Sequence, residues 1–236
     1  MVKPQNLIYI GCFVLLLGSA PAHSQWTSEL SADLPDTATM ATQDKVAELY
    51  DAGEFERAFF IYRNELAPIG DKYAQYMVGY MYLTGMGVEE DPIMASAWYR
   101  LAAERNTPEF VAVRDQLLRQ LDDDQMRRSD NEYLVLREDY CDLAVLLDSV
   151  KRNIREVDAK TGSRIKSDSN FMTIIETTGG RVRAGSEYYG LLHAQMEDRL
   201  KLMQEIGQFE DMETDPEKVD LRELERRVKE HIATMD

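Results

Sequence analysis

Apolar residues recur every three or four positions through most of the chain after residue 40, which is the spacing of one face of an α-helix. The same stretch has no Asn-Gly turns and no sustained alternation of β-branched residues, the usual signs of β-hairpins. The most regular run alternates steps of three and four: Tyr133, Leu136, Tyr140, Leu143, Leu147, Val150, Ile154 and Val157. This heptad seam predicts one helix over residues 131–158, ~42 Å long. The chain is therefore expected to be all-α.

Further helices are predicted on both sides of this seam. Thr107-Pro108-Glu109 opens a helix that the acidic run Asp122-Asp123-Asp124 ends. Residues 186–208 carry apolar side chains on one face, and a last helix is marked by Leu221, Leu224, Val228 and Ile232. Between them, residues 159–185 are rich in Gly, Ser and Thr, so we expect a long loop there, with a short ordered piece at residues 172–175.

Two segments of the chain resemble each other. Residues 58–63 resemble residues 95–100 at an offset of 37, and residues 49–53 resemble residues 81–85 at an offset of 32. The two offsets differ because the second copy has extra residues in its loop 86–92. Each copy is predicted to be two helices joined by a glycine-marked turn, and such an internal repeat is the signature of stacked helical hairpins.

Particular residues suit this interpretation. Gly53, Gly85 and Gly87 can take the positive φ that turns require, and Asp91 followed by Pro92 is a typical helix start. Three alanines, Ala58, Ala95 and Ala102, are expected where neighbouring helices touch, because they allow close approach.

The second copy closely resembles the Sel-one-like repeat, a branch of the tetratricopeptide-type α-solenoids. The resemblance rests on residues 74–88 (AQYMVGYMYLTGMGV), Asp91, Ala95, Trp98-Tyr99 and residues 102–104. The copy at residues 42–71 resembles the family more weakly. Where the family usually closes the second helix with glycine, this chain has Asn106, which also tolerates the left-handed conformation. The resemblance implies a short solenoid over residues 41–122 that binds other proteins, capped by a long-helix C-terminal region over residues 123–236.

The N-terminus has the order of a secretory signal peptide. Lys3 precedes eleven apolar residues, Leu7–Leu17, and the small-residue segment 18–22 follows. Cleavage is expected after Ala22 or Ser24, which predicts a periplasmic protein. Eleven residues are too few for a membrane span, which needs ~20, and Cys12 lies within the apolar run instead of after it, which disfavours a lipid anchor. Residues 23–40, without periodicity, are predicted to be a flexible leader.

Composition narrows the classes of partner. The formal net charge of −16 disfavours nucleic-acid binding, because an acidic surface repels phosphates.

With residues 1–22 removed, Cys141 is the one remaining cysteine, and its helical context favours a buried, unreactive thiol over an intermolecular disulfide.

No catalytic, cofactor or metal site is predicted. Ser129-Asp130-Asn131 and Lys160-Thr161-Gly162 match two signatures of penicillin-binding enzymes, but the Ser-x-x-Lys nucleophile is missing upstream. The three histidines are isolated, without paired ligands at metal-binding spacing. The protein is therefore interpreted as a non-enzyme without a cofactor.

The candidate protein-binding residues are Tyr73, Tyr76 and Tyr80, at positions i, i+3 and i+7 of one helix. Solenoids present their first helices along a concave surface, and tyrosine is a favoured anchor in interfaces. The alternative is that these tyrosines fill gaps between repeats while Ala74, Val78 and Met81 pack on the opposite face. The predicted partner is another protein; a homodimer through the 133–157 seam, in a structural envelope protein, is the second hypothesis.

Overall fold

A computed structural model of the chain describes residues 37–161, 173–175 and 182–234, and the fold is helical apart from one short pair of strands. The elements are α1 (Thr37–Asp51), α2 (Phe55–Ile61), α3 (Lys72–Thr84), α4 (Pro92–Ala102), α5 (Pro108–Leu118), α6 (Asp123–Tyr140), α7 (Asp142–Thr161), β1 (Thr173–Ile175), β2 (Val182–Ala184), α8 (Gly185–Ile206) and α9 (Leu221–Thr234). A π-helical turn (Tyr62–Leu66) and a 3-10 turn (Ala67–Ile69) continue α2, and the 3-10 turn Ala103–Arg105 follows α4. The predicted all-α class with helical repeats is confirmed.

Two consecutive helix pairs occupy the two predicted repeats, with α1 packed on α2 and α3 packed on α4. The turns have the expected backbone: Gly53, Gly85 and Gly87 have φ values of 77°, 69° and 72°. A Cβ atom at Gly87 would lie 2.4 Å from the Phe55 carbonyl carbon. The turn after α3 therefore needs glycine both for its positive φ and for its contact with the start of α2.

The ends of the second pair also follow the sequence prediction. The Asp91 side chain accepts hydrogen bonds from the backbone N–H groups of Ile93 and Met94 at 2.9 and 3.0 Å, and Pro92 is the first residue of α4. Asn106 has φ 56° and ψ 26°, the left-handed conformation expected of it. The residues predicted to pack between helices are fully buried: Ala58, Ala74, Val78, Met81, Ala95 and Ala102.

The next two helices, α5 and α6, both pack against α4. The Ser96 and Ser129 hydroxyls hydrogen-bond at 2.6 Å, and Arg100 pairs with Asp130 at 2.6 Å. Because Asp122 caps α6, the run 122–124 separates two helices as predicted. Ser129-Asp130-Asn131 is the segment that matches a signature of penicillin-binding enzymes. Its first two residues join α6 to α4.

The heptad seam is not one continuous helix, so the prediction of a single helix over residues 131–158 is wrong. α6 ends at Tyr140, Cys141 is extended with φ −69° and ψ 159°, and α7 begins at Asp142. α7 packs on α8 and α9 of the same chain. The buried seam residues are Leu136, Leu143, Leu147 and Val150. The seam is thus used within the chain, and the structure lends no support to a homodimer built through it.

Two predicted boundaries also need correction. α1 begins at Thr37, inside the leader predicted for residues 23–40. The loop predicted for residues 159–185 is shortened by α7, which continues to Thr161, and contains β1 and β2, which pair antiparallel with Ile174 opposite Arg183. The predicted ordered piece at residues 172–175 coincides with β1. A heptad pattern marks the core face of a helix but not its last turn. This explains why α7 extends beyond residue 158, where the predicted helix ended.

One hydrophobic core connects the repeats to the C-terminal helices, extending from Val46 in α1 to Ile232 in α9. Trp98 of α4 belongs to this core and is fully buried, with its ring 4.8 Å from that of Tyr140 in α6. In the described ranges, no helix combines the length and apolar composition needed to cross a membrane. The predicted signal peptide, residues 1–22, lies outside the described residues.

Candidate functional site

The three candidate tyrosines of α3 are all partly buried and border the hydrophobic core. Tyr76 is the most enclosed by aromatic neighbours: its ring stacks on Tyr99 of α4 at 5.4 Å and on Phe110 of α5 at 5.2 Å between centroids. Burial, followed by the neighbouring phenols of Tyr73 and Tyr80, raises the pKa of Tyr76 to about 12. Tyr76 therefore fills the space between three helices.

Tyr73 lies at the start of α3 beside the first repeat. Its ring is 6.5 Å from that of Tyr62 and 6.3 Å from that of Tyr76. Burial raises the pKa of Tyr73, and the carboxylates of Asp71 and Asp51 raise it further. Tyr73 therefore lies between an aromatic residue of the first repeat and Tyr76 of its own helix.

Tyr80, near the end of α3, lies next to Tyr50 of α1. Burial raises the pKa of Tyr50 to about 12, and Tyr80 contributes both as a neighbouring phenol and through a hydrogen bond. The Tyr50 hydroxyl also reaches Met86 Sδ at 3.6 Å. The sequence prediction missed Tyr50, although the repeat alignment pairs it with Tyr82 of the second copy. We call Tyr50, Tyr73, Tyr76 and Tyr80 together the tyrosine face.

A second polar cluster lies where the repeats meet the C-terminal helices, and the sequence prediction missed it. Lys72 is 1% exposed, and its Nζ lies 2.8 Å from Glu104 Oε2 and 3.0 Å from Asp142 Oδ1. Arg105 donates to both carboxylate oxygens of Asp142 at 3.0 Å, and to the Gly70 carbonyl at 2.9 Å. We call Lys72, Glu104, Arg105 and Asp142 the ionic cluster.

Glu104 of the ionic cluster and the neighbouring Gln75 supply hydrogen-bond partners to the backbone at the break between α6 and α7. Glu104 accepts a hydrogen bond from the Asp142 backbone N–H at 3.1 Å, and Gln75 donates to the Tyr140 carbonyl at 3.0 Å. These long-range contacts satisfy backbone groups that a continuous helix would have paired internally. The break therefore depends on residues of the second repeat.

The two cations of the ionic cluster, Lys72 and Arg105, balance the charge of its two carboxylates, Glu104 and Asp142. Burial raises the pKa of Glu104 against the opposing effect of Lys72. Burial alone would also raise the pKa of Asp142, but Lys72 and Arg105 outweigh it and hold that pKa below its usual range. Every member is engaged by another, so the arrangement is suited to joining helices and leaves no side chain available as a nucleophile.

Cys141, at the break, is 1% exposed, and burial raises the pKa of its thiol to about 11. A neutral, enclosed thiol is a poor nucleophile. Within the described residues, no group of three or more His, Cys, Asp or Glu side chains could hold a metal ion.

Comparison with known proteins gives one match. The family model of the Sel1 repeat matches residues 72–107, which comprise α3, the turn, α4 and the left-handed Asn106. The recognition of a Sel-one-like repeat in the second copy is thereby confirmed. No curated protein and no solved structure matches the chain.

Proposed function

We propose that this chain, which carries a Sel1 repeat at residues 72–107, is an adaptor or regulator that binds another protein through its helical-repeat scaffold. Sel1 repeats generally mediate protein–protein interaction and act as scaffolds rather than catalysts. The cap formed by α6–α9 shares one core with α1, α3 and α4 and thereby fixes these helices of the repeats. A scaffold with its helices fixed in this way loses little conformational entropy on binding.

The tyrosine face carries this proposal. Its four aromatic side chains come from α1 and α3 and are each partly exposed. Contacts with Tyr62, Tyr99 and Phe110 restrict the rings of Tyr73 and Tyr76. Rigid aromatic residues that keep part of their surface exposed contribute large contact area at low entropic cost, and tyrosine is enriched among residues that dominate binding energy.

The experiment begins by identifying the partner through crosslinking in intact cells and mass spectrometry. Affinity for the purified partner is then compared between the unmodified protein and Tyr80→Ala. Truncation of a central interface tyrosine costs ~2 kcal/mol, or about thirtyfold in Kd. Phe60→Ala is the matched control, because Phe60 is an aromatic residue of α2 that is 59% exposed and is not a member of the tyrosine face. If the unmodified protein, Tyr80→Ala and Phe60→Ala bind the partner with equal affinity, the binding site lies outside the tyrosine face.

The proposed site of action is the periplasm, supported by the order of Lys3, the apolar run Leu7–Leu17 and the small residues 18–22. N-terminal sequencing of the protein from a fractionated Gram-negative host should give His23 or Gln25 in the periplasmic fraction. An intact Met1 in the cytosolic fraction would contradict export.

A further inference from the structure

The break between α6 and α7 depends on one backbone angle. Cys141 has φ −69°, close to the helical value of about −63°, and only its ψ of 159° departs from the helical value of about −42°. Helical hydrogen bonds flank the break on both sides: the Cys141 N–H donates to the Arg137 carbonyl at 3.3 Å, and the Val145 N–H donates to the Cys141 carbonyl at 3.0 Å. Rotation about ψ of Cys141 would therefore join α6 and α7 into one helix.

The local sequence favours that continuous helix. Neither glycine nor proline stands at residues 140–142, and the heptad pattern of apolar residues continues across them. In a continuous helix the Tyr140 carbonyl would accept from the Ala144 N–H, and the Asp142 N–H would donate to the Glu138 carbonyl. The backbone groups at the break would thus be paired without any help from the repeats.

The broken form is held by contacts from the second repeat. Gln75 donates to the Tyr140 carbonyl at 3.0 Å, and Glu104 accepts from the Asp142 N–H at 3.1 Å. The two cations of the ionic cluster hold the Asp142 carboxylate at 3.0 Å. Tertiary contacts therefore oppose the local preference of the chain at a hinge of one residue, and short hinges under such strain favour domain swapping.

The helices beyond the hinge form a unit that could be exchanged whole. α7 packs on both α8 and α9, and these three helices share one hydrophobic core with the repeats, from Val46 to Ile232. In a domain-swapped dimer these core contacts are kept but are made between two copies. The exchange therefore costs little beyond the entropy of association.

We propose that the chain forms a domain-swapped dimer in equilibrium with this closed monomer. In the dimer, α6 and α7 are one continuous helix, and α7–α9 of each copy pack on the repeats of the other. The dimer uses the core contacts of the monomer and does not use the heptad seam as a coiled coil. It carries two tyrosine faces on one particle, and its formation does not depend on the proposed binding function.

The first experiment refolds the chain from urea at several concentrations and measures the dimer Kd by size-exclusion chromatography with light scattering. The unmodified chain should give monomer and dimer, with more dimer at higher concentration. Gln75→Leu removes the donor to the Tyr140 carbonyl, which only the monomer needs. It should therefore lower Kd about hundredfold, or about tenfold for each of the two hinges. Ser96→Ala is the matched control, because it removes an equally buried hydrogen bond, to Ser129, outside the exchanged helices. It should leave Kd unchanged.

Cys141→Pro tests the hinge itself. Proline fixes φ near −65°, which the broken form already has, but it disrupts a continuous helix. This variant should stay monomeric at every concentration, and a dimer that persists in it would overturn the inference. The inference would also be overturned if the unmodified chain and Gln75→Leu both stay monomeric, or if Gln75→Leu and Ser96→Ala change Kd equally.

A second experiment separates exchange from any other kind of dimer. Arg105 and Asp142 pair at 3.0 Å, so Arg105→Glu and Asp142→Lys each bring like charges together within one chain. In a swapped dimer with one copy of each variant, the two substituted side chains meet at one hinge and the native pair meets at the other. Native mass spectrometry of the two variants refolded together should therefore find mixed dimers above the statistical proportion. A statistical proportion, or no mixed dimer, would overturn the inference, and this result decides alone if Cys141→Pro fails to fold.

Discussion

Asn106 illustrates how one residue sets the end of a repeat. Its φ of 56° is a conformation that residues with a Cβ atom usually avoid, at a cost of roughly 1–2 kcal/mol, and that asparagine tolerates better. We expect Asn106→Ala to lower the free energy of unfolding by ~1 kcal/mol and Asn106→Gly to leave it nearly unchanged. Urea denaturation followed by circular dichroism measures both. Equal losses in the two variants would show that the side chain, and not the backbone conformation, matters.

Tyr76 contributes at the same scale through packing. Its ring is stacked on Tyr99 and Phe110, so Tyr76→Ala leaves a cavity between α3, α4 and α5. The expected loss is ~3–5 kcal/mol of unfolding free energy, the usual range for a buried aromatic residue. Phe60→Ala, at a largely exposed position, should change it by less than ~0.5 kcal/mol. A small loss for Tyr76→Ala would instead favour a purely partner-facing ring.

At the scale of elements, the ionic cluster holds α3 and the turn after α4 against the start of α7. Lys72→Met leaves the carboxylates of Glu104 and Asp142 with one cation instead of two in a buried site. Breaking a buried ion pair in this way costs ~3–5 kcal/mol. Lys218→Met, which removes an exposed lysine paired with Asp215, is the matched control and should leave the denaturation midpoint nearly unchanged. Similar midpoints for both variants would show that the cluster does not hold these elements together.

The elements show what the sequence could and could not predict. The Sel-one-like segment was found because its glycines, Asp91 and alanines are local signals with fixed spacing. The break at Cys141 has no such signal: Tyr140-Cys141-Asp142 contains neither glycine nor proline, and Glu104 and Gln75, which stabilise the break, are distant in sequence. A heptad pattern continues across the break because both helices bury the same kind of face.

The candidate site was predicted in part for a similar reason. Tyr73, Tyr76 and Tyr80 share one face of a helix, and helical periodicity reveals that directly. Tyr50 joins them only through the tertiary fold, which brings its phenol next to that of Tyr80. The buried charges of Lys72, Glu104 and Asp142 were missed because charged residues in a helical pattern are ordinarily assigned to the solvent side. Their burial depends on pairing between elements far apart in the chain.

At the scale of the whole molecule, the tyrosines predict how stability responds to alkali. Burial raises the pKa of Tyr50 and of Tyr76 to about 12, against ~10 in an unfolded chain. The folded state therefore holds these protons more tightly, and the stability they contribute is fully present below pH ~10 and is lost as the pH rises towards 12. The free energy of unfolding should fall less steeply over this window in Tyr76→Phe. Parallel curves for both proteins would contradict this pKa assignment.

The shared core predicts that the repeats and the C-terminal helices unfold together. Val46 and Ile232 belong to one buried cluster, and the Ser96–Ser129 and Lys72–Asp142 contacts cross from the repeats to α6 and α7. In a Trp26→Phe variant, the fluorescence of Trp98 reports on the repeats, while far-ultraviolet circular dichroism reports on all helices. The two urea transitions should coincide, as in a two-state protein. Loss of part of the helical signal before the fluorescence change would show that α7–α9 unfold independently, and that the core contacts between the two regions are weaker than their burial indicates.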